Sequence, residues 1–253
     1  MKPSCLNLAL ISAAIAGGSS TTAVARQQLS KLSESGKPLN VVFILSDDHR
    51  YDYMGFVGKV PWLETPAMDR MAREGAWIRN AFVTTSLSSP SRASILTGMY
   101  SHSHKVVDNS APMPAGLTFF PEYLQQVGYQ TGFFGKWHMG NDTGDPQPGF
   151  NHWESFSGQG EYYNPRLNVN GKWIRYADST YVTDLLTTHA IEFMKQQQTS
   201  HKPFMVYLSH KGVHDNFSPA KRHKGCYSGK PLVIPPSFDT SKEKIKALPT
   251  IDP

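Results

Sequence analysis

Two short stretches of the chain are apolar without interruption. Val41-Val42-Phe43-Ile44-Leu45, framed by Asn40 and Ser46, and the later run Phe204 to Leu208 have no alternation of polar and apolar residues. Each therefore reads as a strand covered on both faces of a parallel sheet. Between them the spacing turns helical. Thr65-Pro66 followed by Met68, Met71, Ala72 and Gly75 supplies an N-cap, a first-turn proline, one apolar face and a terminating glycine. A second helix is predicted from Pro121 to Val127, stopped at Gly128, with a strand from Gln130 to Phe134 after it. A longer helix is expected from Tyr181 to Gln197. Strand and helix alternate, so the expected fold is an open α/β sheet flanked by helices, with its chemistry at the carboxyl ends of the strands. The segment from Gly149 to Arg175, rich in aromatics, Asn and Gly, reads as a loop or hairpin excursion across that face.

The first residues stand apart from this pattern. Lys2, an apolar run from Leu6 to Ala16 and then Ala23-Val24-Ala25 have the shape of an export signal, so residues 1–25 are expected to be a signal peptide and 26–37 a polar linker. The run is shorter than the roughly 20 residues needed to span a bilayer, and no stable membrane insertion is expected. Removing the leader takes Cys5 and leaves Cys226 alone, so the exported chain has no internal disulfide. The 253 residues suffice for one large domain, and with 18% charged residues, 20 Gly and 18 Pro the chain is neither disordered nor a coiled coil. The net charge of +5 is localised: residues 221–253 hold seven Lys/Arg against three acids. An excess confined to one terminal stretch argues against a nucleic-acid partner.

The polar residues with chemical potential cluster at the predicted strand ends. Asp47-Asp48 closes the first strand, and adjacent carboxylates there either hold a cation or form a helix cap or turn. In Ser86-Leu87-Ser88-Ser89-Pro90-Ser91-Arg92, Pro90 sets the first turn of a helix running to Leu96. Ser88 then lies at the entrance, where backbone N–H groups favour an anion. A Ser-rich helix start with one arginine is equally what simple capping looks like.

Ser88-x-Pro90-Ser91-Arg92-x-x-x-x-Thr97-Gly98 resembles the signature of the formylglycine-dependent sulfatases, in its serine form. Asp47-Asp48 precedes it, and Gly135-Lys136-Trp137-His138 and Ser209-His210-Lys211-Gly212-Val213-His214 follow in the order of that family. The resemblance spans residues 38 to about 236. It implies an alkaline-phosphatase/sulfatase-like open mixed sheet and a sulfuric ester hydrolase. Ser88 would be oxidised to formylglycine, whose hydrate attacks sulfur through one hydroxyl and expels sulfate with the other. Asp47, Asp48 and the modified Ser88 would ligate one Ca²⁺. Arg92 would stabilise the ionised diol, Lys136 would bind sulfate, His138 would assist deprotonation and His214 would protonate the leaving sugar oxygen. His102, His104, His210 and Lys211 are candidate substrate-side residues, each with a structural role as the alternative, and His49 is a neighbour of the metal pair or part of a turn. Asp215-Asn216 reads as a turn.

Sulfatases of this kind also carry a later Asp-Asn pair and a lysine, which do not occur before Pro253. Residues 38–253 are thus expected to be the N-terminal portion of a catalytic domain, incomplete at the C-terminus, inactive as written and with an unpaired sheet edge. The segment Glu161-Tyr162-Tyr163-Asn164-Pro165 to Lys172 is similar to N-acetylglucosamine-6-sulfatases. A sulfated carbohydrate of the glucosamine-6-sulfate type is the substrate this implies, with an anaerobic-type maturating enzyme as partner and a bacterial periplasm as setting. A phosphoester hydrolase of the same architecture and a non-catalytic carbohydrate-binding remnant are the alternatives.

Overall fold

A computed structural model of the protein describes residues 38–140 and 143–235; the expected signal peptide and linker over residues 1–37 and the end of the basic tail lie outside them. Six strands form one sheet: β1 (Val41–Leu45), β2 (Gln130–Lys136), β3 (His152–Phe156), β4 (Arg166–Val169), β5 (Lys172–Arg175) and β6 (Phe204–Ser209). Their order is β1-β6-β2-β3-β4-β5. The first four in that order are mutually parallel, so their carboxyl ends share one edge of the sheet. β4 and β5 add an antiparallel hairpin beyond β3. The segment after Gly149 therefore extends the sheet laterally through β3, β4 and β5, and its stretch between β3 and β4 brings Gln159 and Tyr162 to Lys136 and His214 at the carboxyl edge. Asn170-Gly171 makes this possible, with both residues at positive φ in the turn between β4 and β5.

Among the described residues five α-helices accompany the strands: α1 (Pro66–Glu74), α2 (Ser88–Thr97), the single turn α3 (Ser101–His104), α4 (Phe120–Gln126) and α5 (Val182–Thr199). Gly98, at φ +69, ends α2 by returning its N–H to the Ser94 carbonyl. Alternation along β2 and β6 splits the core into two layers. Phe133, Met205 and Tyr207 pack with Leu96, Phe119, Trp137 and Trp153, while Phe134, Val206 and Leu208 pack with Leu186, Ala190 and Phe193 of α5. Phe133 stacks on Trp153 with centroids 4.5 Å apart, which locks β2 to β3 on the α2 side.

β6 is buried along its whole length, as its composition predicts. β1 is not: it pairs only with β6 among the described residues, and Val42 and Ile44 are 47% and 53% exposed. An apolar run reports affinity for a covered position, and coverage depends on neighbours that the run itself does not specify. Among the described residues no helix is long and apolar enough to cross a membrane.

Candidate active site

Backbone pairing continues past the ends of β1 and β6. His210 N–H donates to the Leu45 carbonyl at 2.9 Å, Asp47 N–H to Gly212 at 2.9 Å, and Val213 N–H to Asp47 at 2.8 Å. The two loops are thereby zipped together, which fixes where both aspartates sit. Asp48 takes φ +53, a turn conformation that Asp tolerates better than most residues. Opposite them, α2 starts at Ser88. A cleft of ≈ 330 Å³ opens between these elements, lined by Ser46, Asp47, Asp48 and His49 on one wall and Ser86, Ser88, Ser91 and Arg92 on the other.

Below the cleft lies a buried ionic network. Arg92 Nη1 donates to the Lys136 carbonyl and to Ser209 Oγ, both at 2.7 Å, and Nη2 reaches Asp47 Oδ1 at 3.3 Å. Lys136 Nζ donates to Asp47 Oδ2 at 2.5 Å and to Gln159 Oε1 at 2.6 Å. One carboxylate thus faces two cations, in a setting where an unpaired charge is very costly. Burial pulls the Lys136 ammonium below its ordinary pKa against the opposing pull of Asp47. His138 is pushed down to about 4, first by burial and then by the Lys136 and Arg92 cations, so its ring is neutral near pH 7. His214 Nε2 lies 3.6 Å from Asp48 Oδ2, and its Nδ1 is 2.7 Å from Asp215 Oδ1.

A sequence model of the family described as Sulfatase matches residues 39–231, nearly all that the structure describes. The chain belongs to the sulfatase family. It is 40% identical over 198 residues to the N-acetylglucosamine-6-O-sulfatase of Bacteroides thetaiotaomicron, an alignment covering 77% of this chain and 34% of that protein. It is 30% identical over 209 residues to the N-acetylglucosamine-6-sulfatase of Capra hircus, covering 74% of this chain and 36% of the relative. Its structure superposes with a TM-score of 0.69 and 40% identity on BT4656 in complex with its substrate D-glucosamine-2-N,6-O-disulfate, over 76% of this chain and 38% of that one. The chain thus spans about a third of the length of the curated relatives it matches.

Within this sulfatase the predicted residues separate into groups. Asp47, Asp48, Ser88 and Arg92 share the cleft, and Lys136 and His138 lie in the network beside it. Lys136 has no exposed surface, and its ammonium is engaged by Asp47 and Gln159. As placed, it is the counter-charge of Asp47, with two of its three N–H donors committed to these acceptors and no exposed surface. His104 is 0% exposed: its Nδ1 accepts from Val106 N–H, so Nε2–H donates to Ser94. It pins α3 to α2 and offers nothing to a substrate. His102 stacks on Tyr100 outside the cleft wall. Burial pushes His210 down to about 4, and its Nδ1 is enclosed without a hydrogen-bond partner. Lys211 donates to the Asp215 carbonyl and sits 4.9 Å over the Tyr162 ring, which ties its own loop together. His49 donates Nε2–H to the Tyr53 carbonyl and so accepts from Ser46, bracing the Asp-Asp turn.

Ser209, the first residue of its motif, anchors Arg92. Two residues carry weight that their sequence context does not advertise: Gln159 joins Lys136 to His138, and Asn109 Oδ1 accepts the Ser89 N–H. That last bond removes one of the helix-terminal donors expected to face an anion. Both make long-range contacts, and neither belongs to a periodic or charged pattern that could have flagged it.

The donors fit the family's two added groups unequally. Arg92 lines the cleft with its Nε buried and lacking an acceptor, a donor suited to an oxygen substituent on residue 88. Asp47 and Asp48 are hard oxygen donors of the kind Ca²⁺ takes, but among the described residues no group of three His, Cys, Asp or Glu surrounds one point. With six to eight oxygens needed, these two residues would supply only part of a coordination shell.

Proposed function

We propose that this chain carries the nucleophile side of a carbohydrate-sulfatase centre, in which Ser88, oxidised to formylglycine, removes sulfate from a glucosamine-6-sulfate type of sugar. The observation that carries the reading is the single cleft shared by Ser88, Asp47, Asp48 and Arg92. The hydrate of the oxidised residue would supply the oxygen that attacks sulfur, and Asp47 and Asp48 would hold Ca²⁺, which would supply positive charge at the site. Arg92 Nε–H donates to the oxygens on residue 88 while its other nitrogens stay tied to Ser209, Lys136 and Asp47. His138, neutral near pH 7, accepts a proton from residue 88 in the step that releases sulfate. Asp215 orients the His214 ring, which delivers a proton to the leaving sugar oxygen. The substrate class follows the names of the relatives, N-acetylglucosamine-6-sulfatases from a bacterium and a mammal. A serine at position 88 supports an anaerobic-type maturase as partner, and the leader-like residues 1–25 support a periplasmic setting.

The test is co-expression with such a maturase, followed by peptide mass spectrometry and sulfate release from glucosamine 6-sulfate. The peptide containing Ser88 should lose two hydrogens in wild type and show no such loss in Ser88→Ala, and any sulfate release should disappear with that substitution. An unmodified serine in a protein that turns over phosphate esters would overturn the reading.

A further inference from the structure

We propose that Arg166 and Trp173, exposed side by side on the β4–β5 hairpin, form a second carbohydrate-binding site that holds an anionic unit of a sugar chain at a distance from the cleft. The pair is built across the hairpin. Register sets Asn168 opposite Trp173 and Arg166 opposite Arg175, so these four share one face, while Leu167 and Ile174 share the other. Leu167 joins the core layer of α5, which leaves Arg166 and Trp173 on the opposite side of the sheet. There the Arg166 guanidinium lies over the indole, 4.7 Å from the ring centroid. Both residues are exposed, Trp173 at 36%. Among the described residues Arg166 has no carboxylate partner, whereas Arg175 opposite it is paired with Glu161 and donates to the Asn164 carbonyl. A guanidinium stacked on a ring keeps its in-plane N–H groups available, and their fork matches the oxygens of a sulfate or carboxylate. Arg166 meets the indole from the Arg175 side. On the other side, two residues along the chain, lies Gly171, where an added Cβ would meet no atom within 4 Å. That side of the ring is open to the C–H face of a pyranose.

The sheet also sets where this pair stands relative to the cleft. Gly135, Ser155, Asn168 and Trp173 fall on one row across β2, β3, β4 and β5. Arg166 is two residues nearer than Asn168 to the carboxyl edge, the edge where Asp47 and Lys136 meet. The strands whose ends carry the cleft and its network, β1, β6 and β2, lie three to five strand spacings from β5, roughly 14–24 Å. A single sugar ring cannot touch both places, and an oligosaccharide can. Two weak contacts joined through one ligand reinforce each other. The choice of a sugar chain as the ligand rests on the sulfatase reading; the open guanidinium, the open ring and their distance from the cleft are properties of the folded chain.

The experiment is calorimetry on the full chain with a heparin-derived hexasaccharide and the corresponding disaccharide, together with NMR of the tryptophan indole N–H groups. Wild type should bind the hexasaccharide more tightly than the disaccharide, and the hexasaccharide should shift the Trp173 indole signal, assigned by its loss in Trp173→Ala. Trp173→Ala and Arg166→Gln should each weaken hexasaccharide binding about tenfold, the effect of losing one charge-assisted hydrogen bond or one stacked ring. Arg166→Lys keeps the charge without the planar fork and should restore only part of the affinity. Lys230→Gln removes an exposed cation elsewhere and should leave binding unchanged, which separates this site from the general attraction of a basic chain. Urea unfolding checks that each variant is folded, and Arg166→Gln, at an exposed position, carries the test if Trp173→Ala does not fold. An unshifted Trp173 signal, equal losses in Arg166→Gln and Lys230→Gln, or equally tight binding of hexaglutamate would overturn the proposal. Binding is read without turnover, so a chain that binds the hexasaccharide through these residues but releases no sulfate loses the catalytic reading and keeps this site.

Discussion

Gly135 offers a direct test of how the sheet builds the site. It lies in β2 at φ +117, and an added Cβ would overlap the Ser209 carbonyl, only 2.7 Å from its carbon and nearer still to its oxygen. Gly135→Ala therefore has two costs. Forcing a side chain into positive φ costs about 1–2 kcal/mol, and opening a packed strand pair by on the order of 1 Å costs a further 1–3 kcal/mol. The expected total is about 3 kcal/mol. Gly171→Ala is the control, because Gly171 is at φ +90 with open space around its Cβ and incurs the first cost alone. Urea unfolding followed by the fluorescence of buried Trp137 and Trp153 measures both. With a slope of roughly 2 kcal/mol per M, Gly135→Ala should lower the midpoint by about 1.5 M and Gly171→Ala by about 0.5–1 M. The two are distinguished further by the site: only the former displaces Lys136 and Ser209, both partners of Arg92. Equal midpoint shifts for the two variants would refute the claim that β2–β6 contact at this point excludes a side chain.

Two other variants test the buried charges. Asp47→Asn leaves Arg92 and Lys136 without their shared counter-ion at near-zero exposure and should cost about 3 kcal/mol at pH 7, read by the same unfolding curve. A loss below about 1 kcal/mol would show that the network is solvated, contrary to its burial. Between β3 and α5, Glu154 accepts from His152 Nε2 at 2.8 Å and His189 Nδ1 at 2.6 Å. The hydrogen bonds from His152 and His189 hold Glu154 below its usual 4.5 despite burial, and the hydrogen bond to Glu154 lifts His189 above its usual 6.5. The His189 contribution is complete below pH 6.5 and fades as pH rises through its higher folded value; the Glu154 contribution is complete above pH 4.5 and fades as pH falls through its lower folded value. Glu154→Gln should therefore destabilise most near pH 5.5, by about 2 kcal/mol, and less at pH 8.5. A deficit that grows with pH over that range would contradict this assignment.

How far the site could be read in advance depended on the range of the interactions involved. Asp47, Asp48, Ser88 and Arg92 lie in short motifs whose local geometry, a strand end and a helix start, already points them to one edge of a parallel sheet. The helices over Pro66–Glu74 and Phe120–Gln126 were legible for the same reason, since a first-turn proline and a following glycine act within a turn or two. Gln159 and Asn109 gave no such signal. Their partners are 21 to 23 and 20 residues away, and an isolated amide in a loop has no pattern to betray it.

The residue string by itself determined the local elements and the residue types that meet at the cleft, because these depend on neighbours within a few positions. Tertiary structure alone decided which apolar strand was covered and which histidine was buried. β1 and β6 are equally apolar, yet one lies at an edge and the other in the middle; His102 and His104 are two residues apart, yet one is on the surface and the other is in the core. Burial is a property of what the rest of the chain places alongside, and that is fixed only when the whole sheet and its helices have packed.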